Sequence, residues 1–144
     1  MQQKKIADLK NLRKEFAHIE RFKIPLVLLL SRSDCHFCHE VRRNYLSPLA
    51  RETSERKLVI RELQTDRTNT LIGRDEKLIT VKEFLKQLKV NFFPTVVFLD
   101  YEMQILAEAL IGLNQSGFYS AYLDQRIELA IKTAAKTADS QIVM

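Results

Sequence analysis

Hydrophobic positions near the start of the chain recur at helical spacing and then give way to an unbroken apolar run. The apolar positions with helical spacing are Ile6, Leu9, Leu12, Phe16 and Ile19. They predict an amphipathic helix over residues 4–22. Pro25 blocks its continuation, and the apolar residues from there to Leu30 have the length of a buried strand.

The same patterns predict the remaining elements. Helices are expected over 35–46, from Ser47 onward, over 80–89 and over 118–136, and strands over 57–63, 95–99 and 104–111. Residues 64–79 are polar and are expected to lie outside the core. An early β-α-β unit predicts parallel pairing, and the late strand pair predicts a hairpin. The expected fold is α/β, with a mixed central sheet flanked by helices.

Length and composition fit one domain over residues 1–144, with 46% apolar and 28% charged residues. The net charge is +5, but Lys and Arg alternate with Asp and Glu along the chain, which disfavours nucleic acid as a partner. The longest apolar run has seven residues. A membrane-spanning helix needs about 20, so no span is expected. The first residues do not resemble a signal peptide, so the protein is expected to be cytoplasmic or to have lost a leader.

The chain has two cysteines, Cys35 and Cys38, separated by two residues. Closing so short a loop removes little entropy from the unfolded chain, so their spacing points to chemistry rather than to stability. They follow a strand and stand where a helix begins, and unpaired N–H groups at a helix start stabilise a thiolate. We therefore assign Cys35 as the nucleophile and Cys38 as the resolving thiol of a thiol–disulfide oxidoreductase.

The two residues between the cysteines are candidate modulators of this pair. A protonated His36 would stabilise the reduced thiolate and make the pair more oxidising, although a solvated histidine fits the position equally well. Phe37 is an apolar residue where the turn should be exposed, so it either contacts a substrate or folds back onto the domain.

A second motif is Phe92-Phe93-Pro94-Thr95, directly before a predicted strand. Proline cannot donate to a β-ladder, so Pro94 is unusual at the entry to a central strand. A tight turn with a cis bond between Phe93 and Pro94 would explain it.

The order of strand, Cys-x-x-Cys, helix, Pro94 motif, hairpin ending near Gly112 and C-terminal helix resembles the thioredoxin superfamily. The resemblance covers about residues 22–132 and is nearest to the thioredoxin-related periplasmic proteins of bacteria, which include SoxW-like reductases. It implies a thioredoxin core over 23–136, preceded by the helix over 4–22 as an N-terminal helical extension.

The resemblance also implies how the chain works. Pro94 would be cis and lie beside the active-site disulfide, and the backbone of Phe93 would bind the substrate chain. The substrates would be proteins with disulfides or thiols, and electrons would come from a dithiol donor protein without a cofactor or a metal. The group favours disulfide reduction and a periplasmic location, although the residues alone do not fix the direction of electron flow.

Two positions differ from the thioredoxin pattern. Asp34 stands where an aromatic residue usually precedes the first cysteine, and a carboxylate beside a thiolate would raise the pKa of that thiol. Thioredoxins also place a buried acid in the strand before the motif, whereas residues 26–30 contain none. Proton transfer at the resolving thiol is therefore expected to differ.

Three other functions fit parts of the sequence. The run Cys35-His36-Phe37-Cys38-His39 matches the C-x-x-C-H pattern of c-type haem attachment, with His39 and either Met103 or Met144 as axial ligands. The same Cys and His residues could bind zinc or copper, although four ligands on one helix start cannot easily surround a tetrahedral ion. The third alternative is a thioredoxin-like module that binds a partner without catalysing a reaction.

Overall fold

The structure is a computed structural model that describes residues 6–113 and 117–142, with side chains as far as residue 136. The helical segments are α1 (Leu12–Phe22), α2 (His36–Glu40), a π-helical turn (Val41–Leu46), α3 (Ser47–Glu52), α4 (Val81–Leu88) and α5 (Tyr119–Ile142). The strands are β1 (Ala7–Asp8), β2 (Leu26–Ser31), β3 (Val59–Gln64), β4 (Thr70–Ile72), β5 (Leu78–Thr80), β6 (Thr95–Leu99) and β7 (Ile105–Ile111).

Within the described residues, five strands form a mixed sheet in the order β1-β3-β2-β6-β7. The strand β2 pairs parallel to β3 and antiparallel to β6, and β6 and β7 form an antiparallel hairpin. Every residue of β2 is buried, which explains its unbroken apolar sequence. The predicted fold class is confirmed.

Two hydrophobic clusters cover the two faces of this sheet. One joins α1 and α4 to the sheet through large side chains such as Phe16 and Phe84. The other joins the helical segment after Cys38 and the helix α5 through Val41, Leu46 and Leu123. The segment that carries the cysteines is therefore anchored on the same face as the C-terminal helix. None of the described helices is long and apolar enough to cross a membrane.

The first helix is shorter than the sequence predicts. It begins at Leu12, where the side chain of Asn11 accepts a hydrogen bond from the Lys14 N–H at 3.1 Å. Ile6 and Leu9 flank the short strand β1, which pairs with β3, and are buried in the hydrophobic clusters on the two faces of the sheet. Spacing alone does not distinguish these two ways of burying apolar residues. Residues 4 and 5 of the predicted helix lie outside the described residues.

One further prediction was wrong. The polar stretch 64–79 contains the hairpin β4–β5, and its Leu71 is buried against α1 and α4. The helix predicted from Ser47 is present as α3, but the backbone of Ser47 is itself helical, so α3 continues the preceding turn instead of starting separately. The wider π-helical turn just before Pro48 accommodates a residue that lacks an N–H donor. The last helix extends to Ile142.

Candidate active site

The two cysteines lie where the loop after β2 enters α2. Cys35 is the N-cap of α2, and its Sγ accepts a hydrogen bond from the Cys38 N–H at 3.1 Å. The two residues form a disulfide with their Cα atoms 5.2 Å apart. Cys38 is fully buried, whereas Cys35 is partly exposed. An incoming sulfur can therefore reach Cys35 from solvent, while Cys38 is shielded.

Strand pairing brings the proline motif to the same end of the sheet. Leu30, near the end of β2, lies opposite Thr95, the first residue of β6. The buried Pro94 therefore stands at the sheet end from which the chain enters the Cys35 loop. The peptide bond between Phe93 and Pro94 is cis.

The turn before β6 is held by hydrogen bonds at both of its sides. The Thr95 hydroxyl donates to the Phe92 carbonyl at 2.6 Å, and the Gly112 N–H donates to the Pro94 carbonyl at 2.7 Å. Within residues 6–113 and 117–142, the backbone N–H and C=O of Phe93 have no hydrogen-bond partner. The side chain of Phe92 is 55% exposed. The turn thus presents free backbone groups beside an exposed aromatic ring.

His36 and Phe37 both lie at the surface. The His36 Nε2 atom is 3.1 Å from a carboxylate oxygen of Glu40, and its side chain is 80% exposed. The rings of His36 and Phe37 are 5.6 Å apart. A positive charge on His36 is therefore paired with Glu40 and screened by water rather than directed only at the sulfurs.

A buried carboxylate lies under this site, and the sequence analysis did not identify it. Glu62 stands in β3 next to β2 and is only 4% exposed. Its carboxylate accepts a hydrogen bond from the Ser31 hydroxyl at 2.6 Å. Arg42 donates to both carboxylate oxygens, at 2.6 and 2.5 Å. The strand before the cysteines contains no acid, but the neighbouring strand supplies one.

The same arginine contacts the residue that follows Cys38. Arg42 Nη1 is 2.7 Å from the Nδ1 atom of His39, whose Nε2 atom is 3.1 Å from the Ser33 carbonyl. Hydrogen bonding to Glu62 raises the pKa of Arg42 above its already high usual value. Arg42 is therefore a permanent donor between a buried carboxylate and an imidazole.

The loop before Cys35 is also bound by Asp66, which lies two residues after the end of β3. The N–H of Ser33 donates to Asp66 at 2.9 Å, and its hydroxyl donates to the other carboxylate oxygen. These bonds from Ser33, led by the hydroxyl, lower the pKa of Asp66 below its usual value. The neighbouring Asp34 pairs with Arg32 at 3.1 Å, as a surface ion pair.

One sequence signal could have pointed to Glu62. It interrupts the apolar strand of residues 57–63, and a glutamate inside a buried strand requires a hydrogen-bonding partner. The identity of that partner is not readable from spacing, because Arg42 is 20 residues away.

The haem and metal alternatives lose support from this geometry. Met103 packs into the cluster of α1 and α4, across the sheet from the helix that carries His39. Met144, the other candidate ligand, lies outside the described residues. Both ring nitrogens of His39 are engaged by Arg42 and Ser33. Among the described residues, no three or more His, Cys, Asp or Glu side chains are grouped as metal ligands.

A protein-family model described as a thioredoxin-like domain matches residues 12–127 of the chain. This match includes α1, the cysteine pair, the Pro94 turn and the first part of α5. No curated protein sequence matches the chain.

Solved thioredoxin structures share the fold. Oxidised mitochondrial thioredoxin 3 from Saccharomyces cerevisiae is 19% identical, with a TM-score of 0.57 over 85% of this chain and 93% of that one. Thioredoxin from Fasciola hepatica is 16% identical, with a TM-score of 0.59 over 85% of this chain and 97% of that one. The reduced thioredoxin pre-protein of Schistosoma mansoni is 12% identical, with a TM-score of 0.57 over 87% and 97%. At these identities the likeness shows the fold alone.

Proposed function

Since the chain belongs to the thioredoxin-like domain family, we propose that it reduces disulfides in partner proteins, with electrons from a dithiol donor protein. The general assignment as a thiol–disulfide oxidoreductase, without a direction of electron flow, needs only the family and the cysteine pair. A thioredoxin-like domain whose Cys35 and Cys38 form a disulfide is a thiol–disulfide oxidoreductase.

The observation that carries the proposal is the unequal setting of the two sulfurs. Cys35 is accessible and its sulfur accepts the N–H of Cys38, whereas Cys38 is fully buried. A hydrogen bond to sulfur favours the charged thiolate over the neutral thiol. Cys35 is therefore the attacking group, and Cys38 is protected from every disulfide except one already attached to Cys35.

The exchange then follows two displacements. The Cys35 thiolate attacks a substrate disulfide, forms a mixed disulfide and releases one substrate sulfur as a thiolate. Cys38 loses its proton and attacks the Cys35 sulfur, which releases the second substrate thiolate and leaves the Cys35–Cys38 disulfide. Two electrons have passed to the substrate, and the same steps in reverse with a donor dithiol regenerate the reduced pair.

The turn before β6 supports a protein as the substrate. The free backbone N–H and C=O of Phe93 suit pairing with an extended chain, as at the edge of a sheet. The exposed ring of Phe92 adds apolar contact area next to those groups, and Phe37 exposes a second ring between the two cysteines. Such a surface binds a segment of polypeptide better than a small disulfide, which lacks a backbone to pair.

The surroundings of His36 support the reducing direction. An imidazolium near Cys35 would stabilise the thiolate and favour oxidation of substrates. Here Glu40 lies 3.1 Å from that imidazole and offsets its charge. The charge of His36 therefore stabilises the Cys35 thiolate less, and the cysteine pair is a weaker oxidant, which favours a reductase.

The test is the equilibrium reduction potential of the purified protein in glutathione or dithiothreitol buffers, preceded by a visible spectrum. We expect a two-electron couple at about −250 mV and no Soret band. A value of about −130 mV would instead show an oxidant of thiols. A Soret band, or a protein without any redox couple, would overturn the proposal. Cys38→Ala should accumulate mixed disulfides with substrate proteins, and Cys35→Ala should not.

A further inference from the structure

A continuous set of hydrogen bonds connects the interior of the sheet to the loop before Cys35. It starts at the buried carboxylate of Glu62, which is bound by Arg42 through two nitrogens. Arg42 also reaches His39 at 2.7 Å, and His39 reaches the carbonyl of Ser33 at 3.1 Å. None of these four residues belongs to the exchange steps described above.

The donors in this set fix which nitrogen of His39 carries the proton. A guanidinium can only donate hydrogen bonds, so the Nδ1 atom that faces Arg42 must accept. The proton is therefore on Nε2, which donates to the Ser33 carbonyl. An imidazolium has a proton on both nitrogens and could not accept from Arg42. In this arrangement His39 bridges two groups without carrying charge.

The position of His39 makes this bridge significant for the sulfurs. His39 directly follows Cys38 on α2, and Ser33 lies two residues before Cys35. The imidazole therefore ties the chain on one side of the Cys-x-x-Cys turn to the chain on its other side. Two ends held together keep the two sulfurs close after the disulfide is reduced.

We infer that His39 is a positioning residue for the cysteine pair, held in place by Arg42 and Glu62. The inference rests on the proposed redox function of Cys35 and Cys38. Holding two reacting groups in place raises the effective concentration of one at the other. The clamp therefore favours the closed disulfide over the open dithiol and makes the chain a stronger reductant.

Three variants separate this role from an effect of charge. His39→Gln replaces the imidazole by an amide whose oxygen can accept from Arg42 and whose nitrogen can donate to Ser33. His39→Leu has similar bulk and makes neither bond. His18→Leu is the matched control, because His18 makes its hydrogen bond to the Glu55 carbonyl, at 2.6 Å, from α1 on the other side of the sheet. Both histidine positions, His18 and His39, lie outside the fully buried core.

The measurement is the equilibrium constant of each variant with glutathione at pH 7. We expect His39→Leu to lower the constant for disulfide formation about tenfold, which raises the reduction potential by about 30 mV. His39→Gln and His18→Leu should stay within about twofold of the unchanged protein.

Each other outcome contradicts the inference. If His39→Leu leaves the constant unchanged, the bridge does not position the cysteines. If His39→Gln shifts the constant as much as His39→Leu does, the ionisable imidazole matters and the bridging bonds do not. A shift of the same size in His18→Leu would show that the equilibrium constant responds to a general loss of stability and not to the bridge. Failure of the proposed function is a separate result, because the unchanged protein would then show either no redox couple or a potential of about −130 mV.

Discussion

Arg42 binds both carboxylate oxygens of Glu62, and the pair joins β3 to the helical segment that follows Cys38. The side chain of Glu62 is 5% exposed and that of Arg42 is 22% exposed. Removing a carboxylate of this kind from water is costly, and a bidentate guanidinium together with a hydroxyl donor offsets the cost. The Ser31 hydroxyl provides that third bond. The pair and Ser31 therefore link β2, β3 and the helical segment that follows Cys38.

Arg42→Met should lower the free energy of unfolding by about 3 kcal/mol, because it leaves the charge of Glu62 buried without its partner. The double variant Arg42→Met with Glu62→Met should lose much less than the sum of the two single variants. Urea denaturation of the four proteins with the disulfide intact measures this coupling. Losses that simply add would show that the two side chains do not stabilise each other.

The two thiols of the reduced protein should differ in reactivity. Cys35 is partly exposed and accepts an N–H, whereas Cys38 is fully buried, so iodoacetamide should modify Cys35 at least about tenfold faster at pH 7. Timed alkylation followed by mass spectrometry of the peptides measures both rates. The urea-unfolded protein is the control, in which the two rates should become similar. Equal rates in the folded protein would contradict the assigned roles.

The bonds from Ser33 should be visible in the titration of Asp66. They lower the pKa of Asp66, so folded protein holds this carboxylate ionised at pH values where the unfolded chain has begun to protonate it. The contribution of Asp66 to stability is therefore complete above pH about 4 and disappears as the pH falls through its lowered pKa.

Ser33→Ala removes the hydroxyl donor and should raise the pKa of Asp66 towards the usual value of about 3.9. Carbon-detected NMR of the carboxyl group follows this titration in both proteins. The urea-unfolded chains are the control, because Asp66 should titrate alike in both proteins once the bonds from Ser33 are lost. An Asp66 titration that Ser33→Ala leaves unchanged would show that the hydroxyl does not hold the carboxylate.

The main elements of the fold could be predicted because their signals are local. An unbroken apolar run such as 26–30 is long enough to identify a buried strand. The order of elements predicts that helices cover both faces of the central sheet. The short strands β1 and β4 could not be predicted. Strands of two or three residues carry almost no periodicity, and their pairing depends on partners that only the folded chain supplies.

The residues of the candidate site also fall into those that the sequence predicts and those that only the folded chain brings together. Cys35, Cys38 and Pro94 lie in short motifs whose chemistry is readable from neighbouring residues. Glu62 and Arg42 are separated by 20 residues and meet only because β3 lies next to β2 under the helical segment. A charged residue inside a strand signals that a partner exists, but the identity of the partner is a property of the tertiary structure.

Gly112 connects the last hairpin to the Pro94 turn, and its substitution should affect substrate exchange. Its φ of +74° belongs to the left-handed region, and a Cβ there would lie 3.4 Å from the ring of Phe92. Gly112→Ala should therefore cost about 1–2 kcal/mol of stability through backbone strain and also place a methyl group against the Phe92 ring, in the turn that presents Phe93. The rate at which the variant reduces a protein disulfide should fall more than the rate at which dithiothreitol, a small dithiol, reduces the variant's own disulfide.

Gly117→Ala is the matched control, because Gly117 has a φ of +88° and no atom within 4 Å of its added Cβ. It should lose about as much stability as Gly112→Ala, since both replacements place a side chain on a left-handed backbone. It should keep the turnover of the protein disulfide, because its Cβ enters open space. Denaturation curves and insulin-disulfide reduction assays of the two variants give both quantities. Equal losses of turnover would show that general destabilisation, rather than the new contact with the Phe92 ring, slows the exchange.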